Sequence, residues 1–262
     1  METAARLARA GNRILSAVAA LMILLMFLYG GYSLWDTSMV YRGAFISDDL
    51  LQFKPVDTGE GQEENPTLEE LQALNPDVRG WLTIDDTHID YPVVQGETDM
   101  DYINKDVYGA FALSGSIFLS CLNSPDFSDG YSLVYGHHMD NGGMFGDVVE
   151  FADENYFEEH KTGTLYLPHG TYSIRLFACV ETDAYDRVVY QPQAQEKGNV
   201  SELLTYLEEE AVQYREIGVE ADDSVIGLST CADAETNGRV IVFGRLEKIS
   251  QTQEGGASNE DE

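Results

Sequence analysis

The sequence predicts a mainly antiparallel β-sheet or barrel with helical insertions, carried behind one N-terminal membrane-spanning helix. Three observations lead there. From Gly80 onward, short runs of β-branched and aromatic residues alternate with turn signals, the pattern of many short strands. Clear helical stripes of leucine occur in only two places, 67–74 and 201–214. Between Ile14 and Leu34 there is no charged residue at all.

That uncharged stretch is 21 residues long. At helical rise it spans roughly 30 Å, the thickness of a bilayer core. Arg6, Arg9 and Arg13 precede it and Asp36 follows it, which predicts the N-terminus inside and the bulk of the chain outside. Tyr29, Tyr32 and Trp35 gather at its far end, as in an interfacial aromatic belt. A cleaved signal peptide fits less well. Its apolar region runs to about 7–15 residues and ends in a small-x-small site, which Tyr29-Gly30-Gly31-Tyr32-Ser33 supplies poorly.

The organisation that follows is a cytoplasmic N-terminus over 1–13, an anchor over 14–35 and a stalk over 36–66. A β-domain over 67–250 comes next, then an acidic, disordered tail over 251–262. The stalk is expected because 57–66 is polar, acidic and glycine-containing, with little to bury. Thr67 opens a short helix, with Glu70 completing a capping box and Leu68, Leu71 and Leu74 as its apolar face. Asn75-Pro76-Asp77 stops it.

Strands are predicted at 81–84 and 88–94 around the turn Asp85-Asp86-Thr87, and at 116–119 and 131–135. The runs 165–167 and 171–180 flank Pro168-His169-Gly170 as a hairpin. Residues 147–157 read as helical. Ser201 opens a longer helix with Leu203, Leu204, Leu207, Ala211 and Tyr214 on one stripe, and Glu208-Glu209-Glu210 as its solvated face. The last strands are 225–231 and 239–246, separated by the polar loop 232–238.

The totals exclude some functions. Lys and Arg number 15 against 46 Asp and Glu, a formal charge of −31, so no basic surface is predicted for a nucleic-acid partner. Three cysteines leave at least one thiol outside any intramolecular disulfide. Cys179 lies mid-strand and Cys121 opens a loop, and both suit structural thiols, paired or not.

Cys231 differs, because it ends a strand. If 225–231 and 239–246 are antiparallel neighbours, its thiol shares one sheet end with the guanidinium of Arg239. A thiolate nucleophile needs a neighbouring cation or base, and Tyr135-Gly136-His137-His138 supplies a histidine at another strand end. Adjacent residues on extended chain face opposite ways, so only one of His137 and His138 can face the cysteine. His88, His160 and His169 offer no i, i+4 spacing with them, so no metal site is predicted. Arg239 is permanently charged and can hold a carbonyl or a tetrahedral oxyanion. Arg245, six residues on, shares its face but lies roughly 20 Å away along a strand.

Leu228-Ser229-Thr230-Cys231, Arg239 ahead of Val240-Ile241-Val242, and Tyr135-Gly136-His137 together resemble the sortases, membrane-anchored cysteine transpeptidases of mostly Gram-positive bacteria. The resemblance runs from about Leu68 to Leu246. Several stretches are similar to class B in particular. They are 75–81, 89–95, Gly115-Ser116-Ile117-Phe118-Leu119, and 135–139 leading to Met144-Phe145. The helix before the last two strands also fits that class. In two places the chain departs from it. Ser120-Cys121 stands where an acidic residue often follows, and Thr98-Asp99-Met100-Asp101-Tyr102 stands where an Asp-Asn pair is common.

The resemblance implies an eight-stranded β-barrel with Cys231 as nucleophile, His137 as general acid/base and Arg239 as oxyanion or substrate clamp. Ser229 and Thr230 would touch substrate, and Asp233 would have at most a minor orienting role. No cofactor or metal is implied. The implied partners are secreted proteins bearing a C-terminal, Asn-Pro-x-Thr-x-like sorting signal, and an amine of a cell-wall precursor or pilin. Two alternatives use the same residues differently: a cysteine hydrolase with water as acceptor, and a catalytically idle, membrane-tethered binding domain.

Overall fold

The computed structural model describes residues 2–41, 43–56, 64–195, 199–231 and 237–249, the side chains of Ala8, Val40 and Cys231 excepted. The predicted tail 251–262, the core of the acidic stretch (57–63) and Asp233 lie outside the described residues. The chain divides into two compact units between residues 42 and 43.

The first unit is a single helix, α1 (Glu2–Tyr41). Its apolar segment is long enough to cross a membrane, and its side chains are exposed throughout that segment. It runs beyond the predicted span at both ends, continuing over Arg6, Arg9 and Arg13 and through Trp35 to Tyr41. A polar flank does not end a helix when no Gly, Pro or cap interrupts it.

The second unit is built on strands β1 (Val78–Ile84), β2 (Asp90–Val94), β3 (Ile117–Leu119), β4 (Tyr131–Tyr135), β5 (Thr162–Leu167), β6 (Gly170–Asp183), β7 (Gln213–Tyr214), β8 (Ser224–Cys231) and β9 (Gly238–Lys248). Their order is β5-β1-β2-β3-β4-β8-β9-β6, and β5 also pairs with β6. The ring therefore closes on itself as an eight-stranded barrel, and the two-residue β7 hangs on the outside of β6. Closure removes the open edges that a sheet of this size would expose.

Antiparallel pairing dominates, as expected, but β2–β3 and β4–β8 run parallel. Each parallel pair needs a long crossover. The first crossover is the loop 95–116. The second carries β5, β6 and the helices between residues 136 and 223.

Those helices are α4 (Glu154–Glu159), α5 (Arg187–Tyr190) and α6 (Ser201–Glu210), with 3-10 turns at Gly146–Ala152 and Pro192–Ala194. The predicted helix at 147–157 is thus two pieces. Asp153 separates them because its carboxylate accepts from the Asn155 and Tyr156 N–H groups as an N-cap. Helix α6 stops at Glu210, short of Tyr214, because the following backbone is captured by β6. Val212 N donates to Cys179 O and Arg215 N to Phe177 O. Leu203 and Leu207 of α6 pack on Phe177, Val180, Tyr131 and Phe243, which places one half of the core beneath this helix.

The first part of the expected stalk is part of the domain. Residues 43–56, with the short helix α2 (Asp48–Leu51), lie against the barrel. Ala44 is fully buried and its carbonyl accepts from the Tyr91 hydroxyl at 2.7 Å. Leu50 and Phe53 join Leu68, Leu71, Trp81 and Phe118 in the other half of the core. Lys54 pairs with Asp90 at 2.6 Å, and Asp90 also accepts from the Trp81 indole. Helix α3 (Pro66–Leu74) begins one residue earlier than predicted, with Pro66 in its first turn and Asn65 as N-cap. Thr67 is therefore inside the helix and the predicted capping box has no place to form. Leu68 and Leu71 are buried, whereas Leu74 faces solvent.

Candidate active site

The parallel pair β4–β8 puts two strand ends side by side. Tyr135 is paired with Ser229, Gly136 N donates to Ser229 O at 3.1 Å, and the Thr230 hydroxyl donates to Gly136 O at 3.0 Å. The segment carrying His137 is thereby pinned to the last turn of backbone before Cys231. Gly136 is needed for this approach. A Cβ there would meet Ile117 Cδ1 at 2.5 Å and the Phe145 ring at 2.6 Å. On the other side, β8 and β9 are antiparallel, and their register pairs Cys231 with Arg239. Arg239 is in turn opposite Thr182 near the end of β6.

These strand ends surround a cavity of about 320 Å³. Its lining includes His137, Arg239, Ser229 and Thr230 from the predicted set. It also includes Asp99, Ile103, Phe118, Tyr135 and Tyr190, which the sequence did not single out as site residues. Asp99, Phe118 and Tyr135 lie in stretches noted for their resemblance, but nothing there gave them a role, and no motif marks Ile103 or Tyr190. The five arrive from the β2–β3 crossover, β3, β4 and α5, and only the fold brings them together.

His137 and His138 part as extended chain requires. His137 Nε2 donates to Ile103 O at 2.8 Å, which orients the imidazole at the cavity wall. His138 turns away, where its Nε2 lies 3.4 Å from Asp140. Arg239 is half-buried and donates to Gly238 O at 2.9 Å. Arg245 is not in the lining. It donates to Gly218 O and pairs with Glu247 and Asp223, holding the loop before β8 instead. Ser229 is buried and its Oγ lies 3.0 Å from the Tyr190 hydroxyl, while Thr230 is committed to Gly136.

Tyr190 stacks on Tyr135 with the ring planes 9° apart. Burial, reinforced by the charge of Asp99, pushes the Tyr135 phenol well above its ordinary pKa, so this wall is neutral hydroxyl. Tyr190 is held by Asp186, the N-cap of α5, which accepts from the Val188 and Val189 N–H groups and from the Thr182 and Tyr206 hydroxyls. Cys121 and Cys179 are free thiols. Burial, then the nearby Glu181, pushes Cys179 up to about 12, so it stays protonated within β6. Burial and then Asp99 raise the Cys121 thiol as well. Neither is poised as a thiolate.

Known proteins resemble this chain in sequence and in fold. The sortase domain model matches residues 82–247. Sortase B from Listeria monocytogenes is 31% identical over 236 residues, covering 86% of this chain and 94% of the relative. Sortase B from Staphylococcus aureus is 26% identical over 243 residues, covering 91% and 99%. Among solved structures, a Streptococcus pyogenes class B sortase involved in pilus biogenesis is 42% identical with a TM-score of 0.63, covering 68% of this chain and 97% of that one. A Staphylococcus aureus sortase B–substrate complex gives 28% and 0.66, covering 72% and 88%. The barrel, its matched family domain and these neighbours place the chain in the sortase family, class B.

Proposed function

We propose that the protein is a cysteine transpeptidase that acts on secreted proteins carrying a C-terminal sorting signal. Cys231, as thiolate, attacks the carbonyl of the signal's threonine. Arg239 holds the oxyanion of the tetrahedral intermediate. His137, as imidazolium, protonates the leaving amine, the C–N bond breaks and a thioacyl enzyme remains. An incoming amine gives a proton to the neutral imidazole, attacks the thioester and releases Cys231 as thiolate. Substrate contacts fall to Ser229 and Thr230 through their position in the lining.

The observation that carries this reading is the register that pairs Cys231 with Arg239 beside a cavity lined by His137. The acceptor is an amine of a cell-wall precursor peptide or a pilin lysine. The pilus role of the Streptococcus pyogenes relative favours testing the pilin first. Helix α1 anchors the enzyme, with its arginine-bearing end in the cytoplasm and the barrel outside. In this reading the domain from 67 to 250 is the catalytic unit.

The test uses the full-length protein in detergent micelles. Fluorogenic peptides of Asn-Pro-x-Thr-x and related type are incubated with and without an added amine, and products are followed by mass spectrometry. Cleavage after threonine, an amine-linked product, and loss of both in Cys231→Ala and His137→Ala are expected. Free acid alone, even with amine present, identifies a hydrolase. Absence of any Cys231-dependent product, with Cys231 reacting no faster with a thiol-directed reagent than Cys121 or Cys179, identifies an idle binding domain.

A further inference from the structure

The lining of the cavity carries charge of both signs. Arg239 stands beside the end of β8, and Asp99 comes from the loop after β2. Asp99 is half-buried. Its Oδ1 accepts from the Cys121 N–H at 2.6 Å, and its Oδ2 has a long contact of 3.4 Å from the Ser120 hydroxyl. Among the described residues it forms no ion pair. Its negative charge reaches its neighbours, adding to burial in raising both Tyr135 and Cys121.

A carboxylate only accepts hydrogen bonds and has room for about four. The Cys121 N–H, the Ser120 hydroxyl and the Cys121 thiol leave room for about one more donor on this cavity-lining residue. Met100, Ile103 and Phe118 add apolar surface to the same lining. A carboxylate in a cavity that also offers apolar surface matches a side chain with an aliphatic stem and a cationic head. It disfavours an acidic side chain by like-charge repulsion.

We infer that Asp99 is a specificity-determining residue that selects a sorting signal carrying a lysine or arginine among the residues entering this cavity. The inference rests on the transpeptidase reading above and names the substrate class of that same site. Arg239 and Asp99 then give the bound peptide a direction, with the reacting carbonyl toward the guanidinium and the cationic side chain toward the carboxylate.

The test is a peptide panel on the full-length protein in micelles. Lysine, glutamine and glutamate are placed in turn at each of the three positions before threonine and the one after it. At one position, kcat/KM for lysine is expected to exceed that for glutamine by about tenfold, the scale of a hydrogen bond to a charged group. Glutamate is expected to fall below glutamine. Added salt shrinks the preference. In Asp99→Asn the amide oxygen still accepts from Cys121 N–H but the charge is gone, and the lysine-to-glutamine ratio falls to about one. In Asp99→Lys the order of lysine and glutamate reverses, with circular dichroism checking that the barrel is intact. Turnover without a lysine preference at any position, or a preference that survives Asp99→Asn, overturns the inference and leaves the transpeptidase standing. No Cys231-dependent product from any peptide overturns both.

Discussion

The Tyr190 hydroxyl lies 3.0 Å from Ser229 Oγ, two residues before Cys231, so α5 and β8 are tied together at the cavity wall. The tie and the stack of Tyr190 on Tyr135 make separable contributions. Tyr190→Phe removes only the hydrogen bond, worth about 1 kcal/mol, and is expected to raise KM about fivefold. Tyr190→Ala also removes the aromatic stack, worth about another 1 kcal/mol, and raises KM further. Steady-state kinetics on one peptide measures both, with kcat changing less than KM.

Arg239 and Arg245 occupy the same strand with different duties. Arg239→Ala is expected to lower kcat by about 10²–10³, the scale of losing one oxyanion donor. Arg239→Lys recovers little of it, because an ammonium lacks the planar fork. Arg245→Ala keeps the catalytic rate but lowers the melting temperature, since it loosens Gly218, Asp223 and Glu247. Parallel kinetics and thermal melts distinguish the two.

Asp186 links stability to pH. Burial opposes its charge, but the hydrogen bonds from Tyr206, Val189 N–H, Thr182 and Val188 N–H outweigh this and hold its pKa below the ordinary carboxylate value. A carboxyl with a lowered folded-state pKa stabilises the fold above its unfolded pKa of about 3.9. That contribution fades as pH falls through the folded-state value. Wild type is expected to be more stable than Asp186→Asn at neutral pH, with the gap closing in acid. Denaturant melts between neutral pH and about pH 3 check this.

Phe53 tests whether the segment before α3 is structural. Its side chain belongs to the core that contains Trp81 and Phe118. Phe53→Ala is expected to cost about 3 kcal/mol in denaturant unfolding. A freely moving stalk would give no change. Expression pieces that begin at residue 65 lose the same contacts and are expected to melt earlier than the intact chain.

The eight barrel strands were legible because each carries a β-branched or aromatic run bounded by turn residues, whereas β7 was hidden in the helical stripe. The β8–β9 pairing was legible as far as placing Cys231 and Arg239 at one sheet end, since they flank the polar loop, and the structure supplies the register. The docking of 43–56 was not. Ala44, Leu50 and Phe53 are too sparse to form a period, and the acidic run beyond them coloured the whole segment. The end of α6 was missed for a different reason. The stripe continues through Ala211 and Tyr214, but backbone pairing with β6 overrode it. Chemistry-bearing residues at strand ends could be found by type and position. The aromatic and acidic walls, Tyr135, Tyr190 and Asp99, could not, because parallel pairing over long separations brings them together. The helix over 14–34 was plain from its lack of charge, though its true ends were not.

The two last-made strands, β8 and β9, occupy the middle of the ring, between β4 and β6. During synthesis the barrel is therefore an open shell with a gap, and two unsatisfied edges face each other until residue 248 has left the ribosome. The C-terminal hairpin is the keystone. Because the same hairpin brings both Cys231 and Arg239, a nascent chain holds that pair only once the wall is complete. Chains that stall before about residue 224 are exposed to edge-to-edge association and to proteases, while finished ones are closed.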